Sequence, residues 1–259
     1  MFLDLNQGSG FIYGRALTHG STEDPAVRIN ALIDSALIAE REHTPPRDYL
    51  GASRIGEPCA RRLVYEITHA RPDDGREVDG GALRVFEAGH LCERLSARWL
   101  RAAGFDLRTE RRDGSQFSFS AAGGRLRGHI DGVIVDGPVI GIAWPALWEH
   151  KALNAKSWND LVKRGLAVSK PIYFAQVQLY MAYLEVERTL FTALNKDTQA
   201  LHHEIVAFDP AQAQALSDKA VAIIHAAEAG ELLPRIAAAS DFYLCRVCPY
   251  ARRCWEETL

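Results

Sequence analysis

The chain has 259 residues, 47% of them hydrophobic and 24% charged, with a formal net charge of −3 and five cysteines. That supply of apolar residues is enough for one large core, and the slightly acidic total argues against a protein that coats nucleic acid through its overall charge, but not against an enzyme with a local basic cleft. No stretch approaches the length of a membrane span, and residues 1–10 have neither a basic start nor an apolar run, so the thiols are expected in a reducing cytoplasm and not in a disulfide framework.

In chain order, periodicity predicts a helix over 25–42, with Asp24 as its cap and Pro25 in its first turn. His43-Thr44-Pro45-Pro46 breaks it, and residues 1–48 read as an N-terminal helical extension to a domain spanning 49–259. Ser53 is placed to cap a short turn, and Pro58 suits the first turn of a helix carrying Cys59. Residues 71–81 are acidic and glycine-bearing, as in a loop. A strong helix follows over 82–103, where Leu83, Phe86, His90, Leu91, Leu95 and Trp99 recur at three and four; His90 shares a face with Glu87 and Glu93. Cys92 on this helix reads as a small buried hydrophobe.

Strands are predicted over 105–112, 116–120, 126–135 and 139–151, with turns at Asp113-Gly114, Ala122-Gly123-Gly124 and Asp136-Gly137-Pro138, and with Pro145 marking a bulge or break. Helices are predicted over 157–167 and 171–184, then a hairpin of 188–194 and 201–208, then an alanine-rich helix over 211–229 stopped by Gly230. Repeats, low-complexity tracts, a P-loop and a dinucleotide fingerprint are absent, so nucleoside-triphosphate hydrolysis is not encoded.

Two features carry chemistry. Asp131 lies in Gly128-His129-Ile130-Asp131-Gly132, while Glu149 and Lys151 lie in Leu147-Trp148-Glu149-His150-Lys151. A strand points residues two apart to the same side, so Glu149 and Lys151 share a face. With Asp131 on a neighbouring strand, two carboxylates suited to a hard divalent cation meet an ammonium that can steer a water. The second feature is Cys245-x2-Cys248-x5-Cys254 near the C-terminus, with Cys59 far upstream. Three thiols in ten residues can hold one face of a metal or cluster, and Cys59 is the obvious fourth; thiolates suit zinc or an iron–sulfur cluster, although zinc more often draws two local pairs. Arginines and lysines gather at Arg61-Arg62, Arg94-Arg98-Arg101, Arg108-Arg111-Arg112, Lys163-Arg164 and Arg252-Arg253. The first and last of these, beside cysteines, are the better candidates for phosphate contacts.

Asp131 with Glu149-x-Lys151 resembles the core of the PD-(D/E)XK nuclease superfamily, and Cys59 with the C-terminal trio resembles its RecB-like iron–sulfur branch, of the AddB type, the CRISPR-associated RecB-like exonucleases and small phage-type relatives. Gly89-His90-Leu91-Cys92-Glu93 and Gln176-x-x-x-Tyr180 fall in that branch's order, and Ile130 stands where its pattern has proline. The resemblance implies an α/β restriction-endonuclease-like core, a mixed central sheet flanked by helices, with a [4Fe-4S] cluster on Cys59, Cys245, Cys248 and Cys254 joining the N- and C-terminal segments. It implies Mg²⁺ or Mn²⁺ held by His90, Asp131, Glu149 and the backbone carbonyl of His150, with Lys151 orienting water and Gln176 and Tyr180 positioning the strand. The implied activity is metal-dependent hydrolysis of DNA, exonucleolytic, on single strands or ends, in a bacterial or phage-infected cell, with a recombination or replication protein as a conceivable partner. The alternative is a non-catalytic nucleic-acid-binding module of the same fold, stabilised by zinc or a cluster.

Overall fold

The structure is a computed structural model that describes residues 24–256. The reading of residues 1–10, the first half of the expected N-terminal extension and the last three residues of the expected domain lie outside the described residues.

Helix α1 (Pro25–Glu42) begins as expected, with the Asp24 carboxylate accepting from the Ala26 N–H at 2.9 Å and proline in the first turn. It packs along α3 (Gly80–Ala102), where Asp34 pairs with Arg84. Between them come the two-residue strand β1 (Leu50–Gly51), a 3-10 turn at Ala52–Arg54, and α2 (Ala60–Ile67). Cys59 is the N-cap of α2, so Pro58 stands outside that helix and not in its first turn; Ser53 lies within the 3-10 turn and does not cap it.

The β structure forms two sheets instead of the single central sheet expected. A small one has the order β1-β4-β3, from β3 (Ser118–Ala121) and β4 (Leu126–His129). The larger, of five strands, has the order β2-β5-β6-β7-β8: β2 (Leu107–Arg108), β5 (Gly132–Ile134), β6 (Ala146–Leu153), β7 (Arg188–Asn195) and β8 (Leu201–Ala207). It is mixed, because β6 and β7 run parallel while the other neighbours are antiparallel. A parallel pair needs a crossover, supplied here by α4 (Ala155–Arg164), α5 (Leu166–Ser169) and α6 (Pro171–Leu184). Helix α7 (Pro210–Ala229), capped by Asp209 and stopped by Gly230 at φ +68°, packs on α2 and α6; α8 (Tyr243–Arg246) and α9 (Ala251–Glu256) close the chain.

Three strand expectations are corrected. The run 126–135 splits at Ile130-Asp131: the Ile130 N–H still reaches Phe117 O in the small sheet, whereas Gly132 already pairs with Trp148 in the large one. Of 105–112 only Leu107 and Arg108 join the large sheet, where they pair with Ile134 and Val133 of β5, and Glu110 makes a lone antiparallel bridge with Gln116. The run 139–151 becomes a strand only at Ala146, directly after Pro145, whose missing N–H cannot join a ladder. The helix expected over 157–167 is two, divided by Gly165 at φ +73°.

The faces of the large sheet are covered differently. Leu147, Phe191 and Ala193 belong to the main core with α6 residues Val177, Leu179 and Tyr180, whereas Trp148, Leu190 and Ile134 pack with Ala97 and Leu100 of α3. The 3-10 turn reaches α6 so closely at Gly56 that a Cβ there would stand 2.5 Å from the Ile172 Cα, backbone that cannot swing aside. Gly56→Ala is therefore expected to cost about 1–3 kcal/mol through overpacking, read as a lower urea midpoint. Gly89→Ala, whose Cβ meets nothing within 4 Å in the middle of α3, should raise that midpoint by roughly 0.5–1 kcal/mol through helix propensity.

Candidate active site

The site grows from the end of β5. Gly132 pairs with Trp148, but one step further the chain turns away at Asp131, and the next β6 donor on that edge, His150 N–H, loses its strand partner. The Asp131 carboxylate replaces it, with Oδ2 accepting from His150 N at 2.8 Å. A strand residue directs its N–H and C=O to the same edge, so the His150 carbonyl also faces Asp131. Its imidazole points to the other face, against α3, where Nε2 lies 3.0 Å from Ser96 Oγ. Burial and then the Lys151 charge push that ring down to about 3, so it is a neutral packing group.

Glu149 and Lys151 project together from β6 onto the α6 face as their spacing requires, and they form an ion pair. Glu149 is 1% exposed. Its Oε1 also accepts from Gln176 Nε2 at 2.7 Å, and the same amide nitrogen lies 3.0 Å from the Tyr180 hydroxyl, so Gln176 meets the carboxylate directly and Tyr180 reaches it through Gln176. The Lys151 ammonium sits 5.3 Å from the Tyr173 ring centroid, a cation–π contact that the sequence did not mark. Gln178, one residue pair along, has a structural role: it donates to Ala207 O and accepts from Asp209 N, tying α6 to the start of α7.

Glu93 is the residue that sequence reasoning passed over. It was seen only as a neighbour of His90, yet its carboxyl approaches from α3 closely enough to interact with Asp131, Lys151 and Glu149. The signal that could have found it is its place one turn beyond His90 on the same helix face. Burial, then the Asp131 charge, raises Glu93 to about 7. Burial and Asp131 raise Glu149 to about 8 against the pull of Lys151, and burial raises Asp131. Lys151 is desolvated too, but Glu149 and Asp131 together more than offset this and lift its pKa. His90 lies on the outer rim, its ring 72% exposed, with Nδ1 3.7 Å from Glu93 Oε2.

Three carboxyl groups around one ammonium are held back from ionising by burial and by one another, and Glu149 Oε2 is a buried oxygen with no hydrogen-bond partner. Both observations fit a divalent cation, for which oxygen donors of this kind are the ordinary ligands. Among the described residues, no three His, Cys, Asp or Glu side chains are already closed around a common point as a metal-binding group.

The cysteines form a second locus. Cys59, Cys245, Cys248 and Cys254 line one cavity with Arg61 and Trp255, and none is in a disulfide. Arg61 and Arg62 are not an open phosphate track, which corrects the expectation for that pair. Arg61 is 5% exposed, donating to Leu233 O at 2.6 Å and towards Cys254 Sγ at 3.7 Å, and Arg62 pairs with Glu57 and Glu66. The Arg252 and Arg253 N–H groups both donate to the Asp73 carboxylate, and the Arg252 guanidinium pairs with Asp74.

No protein-family model and no curated relative matches the chain. Solved structures do. The alkaline exonuclease LHK-Exo from Laribacter hongkongensis superposes with a TM-score of 0.52 at 17% identity, over 76% of this chain and 93% of that one. Its complex with dAMP gives 0.51 at 16% identity, over 71% and 89%. The structure of SSO0001 gives 0.51 at 14% identity, over 90% and 98%.

The chain has the fold of these structures.

The Gln176 amide supplies a donor to a buried carboxylate, so Gln176→Leu should cost about 1–3 kcal/mol by leaving polar groups unpaired. A urea melt checks this; an unchanged midpoint would mean that the bonds to Glu149 and Tyr180 do not form in solution.

Proposed function

We propose that this protein is a divalent-metal-dependent deoxyribonuclease, acting as an exonuclease on single strands or ends. One observation carries the reading: Glu93, Asp131 and Glu149 meet Lys151 around an unpartnered buried oxygen, on a fold shared with an alkaline exonuclease. Asp131, Glu149 and the His150 carbonyl would hold Mg²⁺ or Mn²⁺, with Glu93 and His90 completing the shell from α3. When bound, the cation supplies Lewis-acid polarisation of the phosphate and offsets the charge that develops on it. Water adds to phosphorus and gives a proton to solvent, the bond from phosphorus to the leaving sugar oxygen breaks, and the leaving oxygen takes up a proton from solvent. Held as an ammonium by Glu149, Lys151 contributes a donor and a counter-charge to the phosphorane-like transition state and is not the proton acceptor. Gln176 and Tyr180 fix the Glu149 carboxylate from behind and, through it, the position of the strand.

The four thiols are proposed to hold a [4Fe-4S] cluster, supported by their shared cavity and unlinked state. Thiolate ligation there would join the start of α2 to α8 and α9, contributing to folding and supplying no step of the hydrolysis.

The decisive assay uses end-labelled single-stranded, duplex and circular DNA with Mg²⁺ or Mn²⁺. Asp131→Asn and Glu149→Gln should lower turnover by at least about 100-fold, and Lys151→Met should do so while retaining Mn²⁺ binding by calorimetry. Glu93→Gln should weaken Mn²⁺ binding. Wild-type cleavage in all of these variants would sink the assignment.

For the thiols, anaerobic purification should give a brown protein whose iron is lost in Cys59→Ala, Cys245→Ala, Cys248→Ala and Cys254→Ala, but kept in Cys92→Ala. Stoichiometric zinc without iron would refute the cluster, since zinc has no visible charge-transfer band.

A further inference from the structure

The outer face of the small sheet carries cations that the chemistry above does not use. On β4, Leu126 and Gly128 are buried while Arg127 and His129 turn outward, and two residues later the chain reaches Asp131. The neighbouring strands put Gly51 and Ser120 opposite Arg127, and Ser118 opposite His129, so the floor around these side chains is made of small residues. Over it stand two guanidinium groups: that of Arg127 is 4.8 Å from the Tyr49 ring centroid, and that of Arg47 is 6.0 Å from the same ring. The Arg127 Nε donates to Gly124 O at 2.9 Å, which fixes the orientation of its fork.

Arg54, Arg62, Arg84, Arg108, Arg164 and Arg252 each have a carboxylate partner. Among the described residues, Arg47 and Arg127 form no such pair. Holding two like charges over one ring, without a counter-ion, costs free energy that an anion would recover.

The Arg47 charge also reaches towards the carboxylate site. The charge of Arg47 is felt at Tyr180 and at His129, and Gly128 lets the Tyr180 ring come so close to β4 that a Cβ there would stand 2.7 Å from its Cε1. Tyr180 in turn meets Gln176 and, through it, Glu149. Tyr180 is therefore within electrostatic reach of both Arg47 and the carboxylates, and His129, two residues before Asp131, of both arginines.

We propose that Arg47 and Arg127, spaced by the Tyr49 ring, bind a backbone phosphate of the nucleic-acid strand next to the phosphate being cut. This rests on the nuclease reading and extends it, by assigning the path of the strand across the outer face of β1-β4-β3. Guanidinium forks match phosphate oxygens, and the Tyr49 ring, already engaged by cations, offers little to a base; the subsite positions the strand without reading its sequence.

The test measures affinity and turnover separately. Binding of a fluorescein-labelled single-stranded oligonucleotide is followed by anisotropy in Ca²⁺, and cleavage in Mg²⁺, across a salt series, with melting curves for every variant. Arg47→Gln and Arg127→Gln should each raise Kd and KM by about 10-fold or more and flatten the salt dependence by about 0.7 per lost contact, while kcat stays within about threefold. Arg127→Lys should restore the salt slope. Arg188→Gln, which removes the same charge at the opposite end of the large sheet, should match wild type.

Oligonucleotides with and without a phosphate at each end separate the two sources of the anion. A loss confined to substrates carrying a terminal phosphate assigns the subsite to that group, and a loss on all substrates assigns it to an internal phosphodiester. Wild-type Kd, KM and salt slope in the Arg47 and Arg127 variants of a protein that binds and cleaves would overturn the subsite alone. A wild-type protein that neither binds nor cleaves would overturn the nuclease reading and the subsite with it.

Discussion

The hydrogen bond from the His150 N–H to the Asp131 carboxylate is the constraint on which the site depends. Strand β5 is three residues long, and where it ends β6 would expose a donor in a half-buried groove. A water could satisfy that donor but would fix nothing. A carboxylate satisfies it and is thereby locked in register with Glu149 and Lys151, whose own positions are set by the parallel pairing of β6 with Phe191 and Ala193 of β7. One short strand thus converts a ladder defect into an acid held at a fixed point beside a carboxylate–ammonium pair.

Around that point the protein gathers three carboxyl groups beside a single ammonium. Glu149 is buried and Glu93 is raised to about 7, so both stand in environments that penalise their ionised forms. Such an arrangement is costly for a fold that uses it only for stability, and buried carboxylates of this kind are a mark of functional sites. Elsewhere the chain manages charge in the opposite way. Near the cysteines, Arg54, Arg62, Glu57 and Glu66 form a closed network, and Lys219 donates to the carbonyls of Ile55 and Glu57, so that α2, α7 and the 3-10 turn are bound together. Arg61 and Arg62, adjacent in sequence to Cys59, turned out to be engaged within the protein, because the same burial that surrounds the thiols demands partners for them.

Much of the helical architecture was legible beforehand. Helix α6 spans the residues 171–184 marked for it, α1 begins at its Asp24 cap, and Gly230 ends α7 in a left-handed conformation. Local signals suffice there because caps and breakers act within one turn. The strands were less legible, since an apolar run in 126–135 is equally compatible with one long strand or with two shorter ones in different sheets. What divides it is the competition between Phe117 and Trp148 for backbone partners, which are distant in sequence. Glu93 was missed for a related reason: its value lies in its distance to β5 and β6, not in its neighbours on α3.

The sequence by itself determined that Glu149 and Lys151 share a face, that Gln176 and Tyr180 lie one helical turn apart, and that Cys59 must come from far away if it is to join the other three thiols. Those facts follow from the fixed periods of strand and helix and from the count of thiols in the chain. Only the tertiary structure decided that Asp131 caps a β6 amide, that Glu93 faces the same point, and that Arg62 pairs with two glutamates while Arg47 and Arg127 have no carboxylate partner among the described residues. Each of these depends on which surfaces the two sheets and α3 bring together, and burial and charge balance are properties of that assembly and not of any local stretch of chain.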